Sequence, residues 1–303
     1  MKALASFVMR GPAQSVMVIT VLAMLSIIFP FIGILSSASV GLVTLRLGAV
    51  EGVKTILLST LASGLLMALI FGNPLPALGF LLVLWLPVGL LGLLLHNTRS
   101  LGLTTQAGVG FGLLIILVQY ISMGTPAAFW REYLEPMAQG FIKAGLLDQA
   151  QSVQLLDQLS GMMCGMVAVG GLLQLLLSLY VARWWQAKLY NPGGFATEYQ
   201  QLRLHWLVAA VGGVALLAGL LPESALPPLF GCLGSIFLGL LFLQGIAVAH
   251  GVFNGMKSSQ LWLVLTYLML IVFLPQMVLF LISIGLMDNL IDFRTRLKST
   301  TGG

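Results

Sequence analysis

The sequence predicts an all-α protein that crosses a lipid bilayer repeatedly, and three observations carry that expectation. Charged residues make up only 8% of the 303-residue chain, against about 25% in a soluble domain. Hydrophobic residues reach 59%, with a mean hydropathy of +1.04. Apolar runs near the roughly 20 residues that span a bilayer recur along the chain, separated by short polar loops. No polar block is large enough for a soluble domain, so residues 1–303 are expected to form a single transmembrane domain. The net charge of +5 sits in loops, where it orients spans and contacts anionic lipid. It does not argue for nucleic acid.

The amino-terminal run, Val16 to Thr44, is broken by Pro30 inside IIFPFIG. It reads as one kinked helix or as a two-armed hairpin. Lys2, Arg10 and the later SSAS at Ser36–Ser39 mimic a signal peptide, but the apolar run is too long for one, and retention is expected. Val50–Phe71 is a clear span with Arg46, Glu51 and Lys54 at its entry. After the Gly72-Asn73-Pro74 turn, Leu75–Leu95 returns to His96 and Arg99. Leu103–Met123 follows, with Gly108, Gly112 and Gln119 on one stripe.

The Gly124–Ser160 connection is long and polar. Trp130, Leu134, Met137 and Phe141 recur in it at helical spacing, so an amphipathic surface helix is expected there. Gly161–Ala182 is the next span, with Gly161 and Gly165 as a small-xxx-small pair, Gln174 at its middle and Trp184 and Trp185 at its end. A loop, Gln186–His205, leads to Trp206–Leu221 and a turn at Pro222 and Glu223. Leu226–Asn254 then carries Gly231, Ser235 and Gly239 at four-residue steps, Gln244 in mid-span and His250 near its end. Leu261–Leu286 is broken by Pro275. An amphipathic tail, residues 287–303, begins MDNLIDFRTRLK.

Basic residues set the expected topology. Loops with Arg46 and Lys54, Arg99, Arg183, Lys188 and Arg203, and Lys257 fall in the cytoplasm, and the net acidic 124–160 loop falls outside. Bringing Lys2 and Arg10, and likewise Arg294, Arg296 and Lys298, to the cytoplasmic side requires the two proline-broken segments to be hairpins. Arms of about 15 residues reach roughly 22 Å, short of a core of about 30 Å, so such hairpins are tilted or re-entrant and must be buried in protein. The alternative is a single kinked helix at one or both ends. The expected architecture is a polytopic bundle of six central spans plus two terminal hairpins or kinked helices, about 8–10 membrane segments.

Catalytic chemistry finds little purchase. The chain has no HExxH, Walker loop or zinc spacing, and His96, His205 and His250 all sit at expected cytoplasmic span ends. No enzyme activity, catalytic residue, metal or cofactor is expected. Cys164 and Cys232 read as small apolar fillers. Gln119, Gln174 and Gln244 are either interhelical hydrogen-bonding groups or the polar lining of a small-molecule pocket. Glu198, Arg203, His250, Asp288, Asp292, Arg294 and Arg296 are candidates for docking a protein partner at the cytoplasmic face, against the plainer reading of a solvated cap. Gly108, Gly112, Gly161, Gly165, Gly231, Ser235 and Gly239 are candidates for close helix packing.

Three stretches, NPGGFATEYQQLRL (Asn191–Leu204), FLQGIAVAHG (Phe242–Gly251) and GLMDNLIDFRTRL (Gly285–Leu297), together with FPFIGILSSASVGLVTLRLG ending at Gly48, resemble the YybS-like family of uncharacterised bacterial inner-membrane proteins. The wider group it resembles includes the S-components of energy-coupling-factor vitamin transporters and the cell-shape membrane protein MreD. The S-component resemblance implies small-molecule binding or transport, with a ligand under an outer cap that the 124–160 segment would supply. S-components dock a coupling subunit through small residues on an early helix. No AxxxA motif stands there in this sequence, and Ser37 and Gly41 are the nearest substitute. The MreD resemblance implies a non-transporting scaffold that recruits partners through cytoplasmic loops and tail. Both imply a multi-pass protein of the bacterial inner membrane.

Overall fold

The computed structural model describes residues 1–221, 226–254, 256 and 258–291. It has thirteen helices and no strand among the described residues. In order they are α1 (Lys2–Val8), α2 (Pro12–Ser26), α3 (Ile32–Leu47), α4 (Ala49–Phe71), α5 (Pro76–Thr98), α6 (Leu101–Met123), α7 (Pro126–Lys143), α8 (Gln149–Tyr190), α9 (Gly194–Gln200), α10 (Trp206–Ala218), α11 (Pro228–Phe253), α12 (Ser259–Val272) and α13 (Leu274–Ile291). Six of them, α4, α5, α6, α8, α11 and α13, are long and apolar enough to cross a membrane. The chain is a multi-pass helical membrane protein. Its residues group into two compact units, Met1–Gly108 with Leu173–Leu202, and Val109–Leu172 with Arg203–Gly303.

The first unit is built around α3. Pro30 lies in the turn between α2 and α3, and the two helices fold back on each other as a hairpin. Proline supplies no N–H and disfavours helical geometry in the residue before it, which stops α2. The hairpin reading therefore holds at this end. At 16 residues, α3 is about 24 Å long, and residues 36–45 are buried without interruption. Small side chains make that possible. A Cβ on Gly41 would stand 2.9 Å from that of Ala182 and 3.0 Å from Val88. Gly48, at φ +86°, alone joins α3 to α4, in backbone space that residues with a Cβ rarely occupy.

Beside α3, α5 contains a π-helical turn at Phe80–Trp85. Pro87 follows, and its ring and missing N–H disrupt the preceding turn, which the wider π geometry absorbs. That turn carries Trp85, whose Nε1 donates to Ser36 Oγ at 3.0 Å; Ser36 Oγ donates in turn to the Ile19 carbonyl at 2.8 Å. Ile19, Ala23, Val40 and Ile56 complete the core around the indole.

The second unit is organised by α11. Gly212 of α10 and Gly245 and Gly285 at the α11–α13 crossing let neighbouring helices approach at backbone distance. A Cβ on Gly245 would collide with the Leu281 carbonyl, and one on Gly285 with the Leu241 carbonyl.

Several boundaries differ from expectation. Residues 149–160 are not part of a surface loop but the first turns of α8, which runs 42 residues, about 63 Å. Their polarity ends the apolar pattern, but Gln, Leu and Asp are tolerated in a helix. The expected span Trp206–Leu221 is a helix of only 13 residues, too short to cross without local thinning of the bilayer. The sixth long apolar helix is α13 instead, because the Pro275 segment breaks unequally at Phe273 (φ −119°, ψ 50°) into arms of 14 and 18 residues. Pro275 sits in the first turn of α13, where a missing N–H costs nothing.

Candidate functional site

In the second unit, three of the stretches singled out in the sequence converge. Gln244 on α11 is fully buried. Its Oε1 accepts from the Leu204 backbone N–H at 3.1 Å and from Asn289 Nδ2 at 3.1 Å, and its Nε2 donates to Asp288 Oδ2 at 3.3 Å. Arg203 donates from its guanidinium to the carbonyls of Asp288 and Asn289, at 3.2 Å each. The local reasons are plain. The non-helical chain at residues 202–205 leaves the Leu204 N–H without a helical acceptor. The Gly245–Gly285 contact brings α13 close enough for a glutamine amide to bridge. Arg203 satisfies carbonyls near the end of α13, which a helix cannot satisfy itself.

This changes the reading of Asp288. Expected on a solvated docking face, it is 1% exposed. A carboxylate in apolar surroundings persists only where it is hydrogen-bonded, and here Gln244 supplies one such bond. Asn289 and the Leu204 N–H belong to the same cluster and were not anticipated. Asp292, Arg294 and Arg296 lie outside the described residues.

Gln119 makes a second, separate junction in this unit. Its Nε2 donates to the Cys164 carbonyl and its Oε1 accepts from Trp130 Nε1, both at 3.2 Å. Trp130 thereby pins α7, and Arg131 forms an ion pair with Asp157 on α8. Phe129, Tyr133 and Met137, one turn apart on α7, are exposed. Gln174 belongs to the first unit, half-buried, with its Nε2 3.5 Å from where a Gly33 Cβ would stand.

The remaining candidates are held by neighbours in the fold. Glu198 receives both Arg183 Nε, at 2.9 Å, and Arg183 Nη2, while Nη1 of the same arginine donates to Gln186 at 3.0 Å. Phe195 and Tyr199 of α9 pack against Tyr180, fastening the Asn191–Leu204 stretch to α8. His250 Nε2 and the Tyr267 hydroxyl share a hydrogen bond of 2.9 Å.

Among the packing candidates, Gly112 meets Ile236, Gly165 meets Ser235 and Gly239 meets Val169. Ser235 Oγ also donates to the Gly165 carbonyl at 3.1 Å, and Cys164 and Cys232 are both buried as free thiols. Gly108 is buried. Gly161 and Gly231 do not pack: both are exposed, with nothing within 4 Å of an added Cβ. Crossing helices touch over a turn or two and then diverge, and α8 and α11 have already separated one turn before Gly165 and Ser235.

One recess opens in the second unit where α12 and α13 diverge from the Phe273 bend over the end of α11. It has a volume of about 290 Å³ and is walled by Val248, Ala249, Val252 and Phe253 of α11, Thr266 of α12, and Met277, Phe280, Leu281 and Ile284 of α13. None of the three glutamines lines it. Its chemistry is that of a hydrocarbon surface, flanked by the His250–Tyr267 bond. Among the described residues, no three His, Cys, Asp or Glu side chains gather as a metal ion would require.

No curated protein and no solved structure matches the chain. The family model described as "Predicted membrane protein (DUF2232)" matches residues 17–289, a span that holds Arg203, Gln244, Asp288 and Asn289 together with every wall of the recess, and the chain belongs to that family.

Proposed function

We propose that this membrane protein binds a small apolar or amphipathic molecule in the recess between α11, α12 and α13. The observation that carries the reading is the recess itself. Its volume of about 290 Å³ lies at the lower end of small-molecule sites, roughly 300–1,000 Å³, and its wall offers almost nothing to a polar solute. Thr266, the one polar side chain in that wall, spends its hydroxyl on the Trp262 carbonyl at 2.9 Å. The hydrogen bond between His250 and Tyr267 beside the recess suits the polar end of an amphipathic guest. The sequence resemblance to S-components supports binding or transport in the bacterial inner membrane. Gln119 and Gln244, whose amides are committed to neighbours, give no support to a polar ligand.

A photoreactive alkyl probe, added to the purified protein in nanodiscs, tests this. Labelling is expected to concentrate on residues 248–253 and 277–284 and to fall several-fold in Ala249→Trp, which fills the recess. Labelling spread evenly over the lipid-facing helices, and indifferent to that substitution, would overturn it.

A non-transporting scaffold is the second reading, and one observation favours it. Arg203 and Gln244 hold Asp288 and Asn289 near the end of α13, just ahead in sequence of the tail on which this reading places the docking of a protein partner. Loss of that tail would then remove a bound partner and leave the labelling unchanged.

A further inference from the structure

The chain's net charge of +5 belongs wholly to the first unit, which holds seven basic and two acidic side chains, while the second holds seven of each. The fold gathers the seven at one end of that unit. There the Leu45 carbonyl of α3 accepts from His96 Nδ1 of α5 at 2.9 Å and from Gln186 Nε2 of α8 at 3.3 Å. Three helix ends therefore meet beside the Gly48 corner, where α4 begins. Arg46 lies in the last turn of α3, and Arg99 caps α5. The α2–α3 hairpin brings the start of α2 to the same level, and with it Arg10.

Two of the seven are neutralised, since Lys54 pairs with Glu51 and Arg183 with Glu198. Three others rest on rings instead. Arg46 lies over Tyr190, 4.2 Å from the ring centroid, Lys188 over Trp184 at 4.1 Å, and Arg10 over Phe7 at 5.4 Å. A ring holds a cation in place by its quadrupole and leaves the full charge standing. Arg46 and Tyr190 are both exposed, and among the described residues no carboxylate pairs with Arg46. The ring covers one side of its guanidinium and leaves N–H groups of the fork for an outside acceptor, and that fork matches a phosphate.

We propose that this end of the first unit, centred on Arg46, binds the headgroup of an anionic phospholipid. An anion answers the charge that the rings leave standing. The bilayer supplies one at this depth, because α4 begins and α5 ends here, and both are long and apolar enough to cross a membrane. Basic residues at span ends face headgroups, and clusters of them select anionic ones. The neighbouring surface suits a lipid rather than free phosphate. From the Gly48 corner, α4 exposes Val50, Leu57, Leu61 and Leu65 along one face, an apolar track for acyl chains. The site is independent of the recess in the second unit.

Lipid retention by the full chain tests it. The protein is reconstituted in vesicles of equal parts phosphatidylglycerol and phosphatidylcholine and extracted into detergent, and the lipid carried through is counted per protein by mass spectrometry. Phosphatidylglycerol is expected in several-fold excess, and Arg46→Gln to cut that excess about fivefold, the share of one basic residue at an anionic surface. Arg46→Lys, which keeps the charge and loses the fork, should fall between the two. Lys143→Gln, which removes a cation of the second unit, should change nothing. A wash of the unaltered protein at about 1 M salt, where screening acts within about 3 Å, should release the phosphatidylglycerol, and this holds whether or not a variant folds. Equal retention of the two lipids, retention indifferent to salt, or equal losses in Arg46→Gln and Lys143→Gln would overturn the proposal. So would release by millimolar inorganic phosphate, which would mark a site for the free anion.

Discussion

Replacing Gln244 by alanine is expected to destabilise the protein by about 3–5 kcal/mol. The magnitude follows from what the amide holds. Its removal strands the Leu204 N–H, whose residue is 3% exposed, at about 1–3 kcal/mol. It takes a donor from Asp288 Oδ2, inside a site where water does not compensate, at a similar cost. Asn289 loses least, because its Nδ2 also donates to the Gly285 carbonyl at 3.0 Å. The cavity left by the deleted side-chain atoms adds to the total. Thermal unfolding in nanodiscs, followed by tryptophan fluorescence, should show a midpoint lowered by roughly 10 °C. Gln244→Leu fills the cavity without restoring a bond, and should recover only part of the loss. A fall of less than about 1 kcal/mol in the alanine variant would show that the buried contacts do not fasten α11, α13 and the 203–205 segment as described.

Other substitutions probe other joints. Gly245→Ala and Gly285→Ala force two backbones apart and should each cost more than 3 kcal/mol, whereas Gly161→Ala and Gly231→Ala, in open surroundings, should be neutral or stabilising by up to about 1 kcal/mol; parallel unfolding curves separate the pairs. Gly48→Ala places a Cβ at φ +86° and should cost about 1–3 kcal/mol, read by the same method. Trp130→Phe removes the bond to Gln119 while keeping the ring, and faster hydrogen exchange in α7, with α11 unaltered, is the expected signature.

The membrane class and the existence of most helices were legible in composition and apolar run length, because a bilayer demands both. The break at Pro30 was legible too, since proline acts locally, whereas the choice between a kink and a hairpin there depends on how α2 packs against α3. What escaped depends on contacts between distant residues. Asp288 sits among Asn289, Leu290 and Asp292 in a stretch that looks solvated, and only the Gly245–Gly285 approach, forty residues apart in sequence, shows it to be buried beside Gln244. The glycine steps at Gly231, Ser235 and Gly239 fixed a face of α11 but not where along that face α8 crosses. The start of α8 was hidden because hydrophobicity marks what a helix buries, whereas backbone continuity through Gln149–Ser160 follows from helix propensity.

The backbone contact at Gly245 and Gly285 also has a genetic consequence. Any single-base change in a glycine codon that alters the protein installs a Cβ or introduces a stop. At most positions alanine is the mildest such change. At these two it already strikes a carbonyl oxygen, so no graded series of replacements exists between wild type and failure. In a saturation scan scored on membrane abundance, both positions should accept synonymous codons alone, while Gly161 on α8 and Gly231 on α11 accept many. Such an all-or-none pair would locate the α11–α13 crossing from abundance data, without a structure in hand.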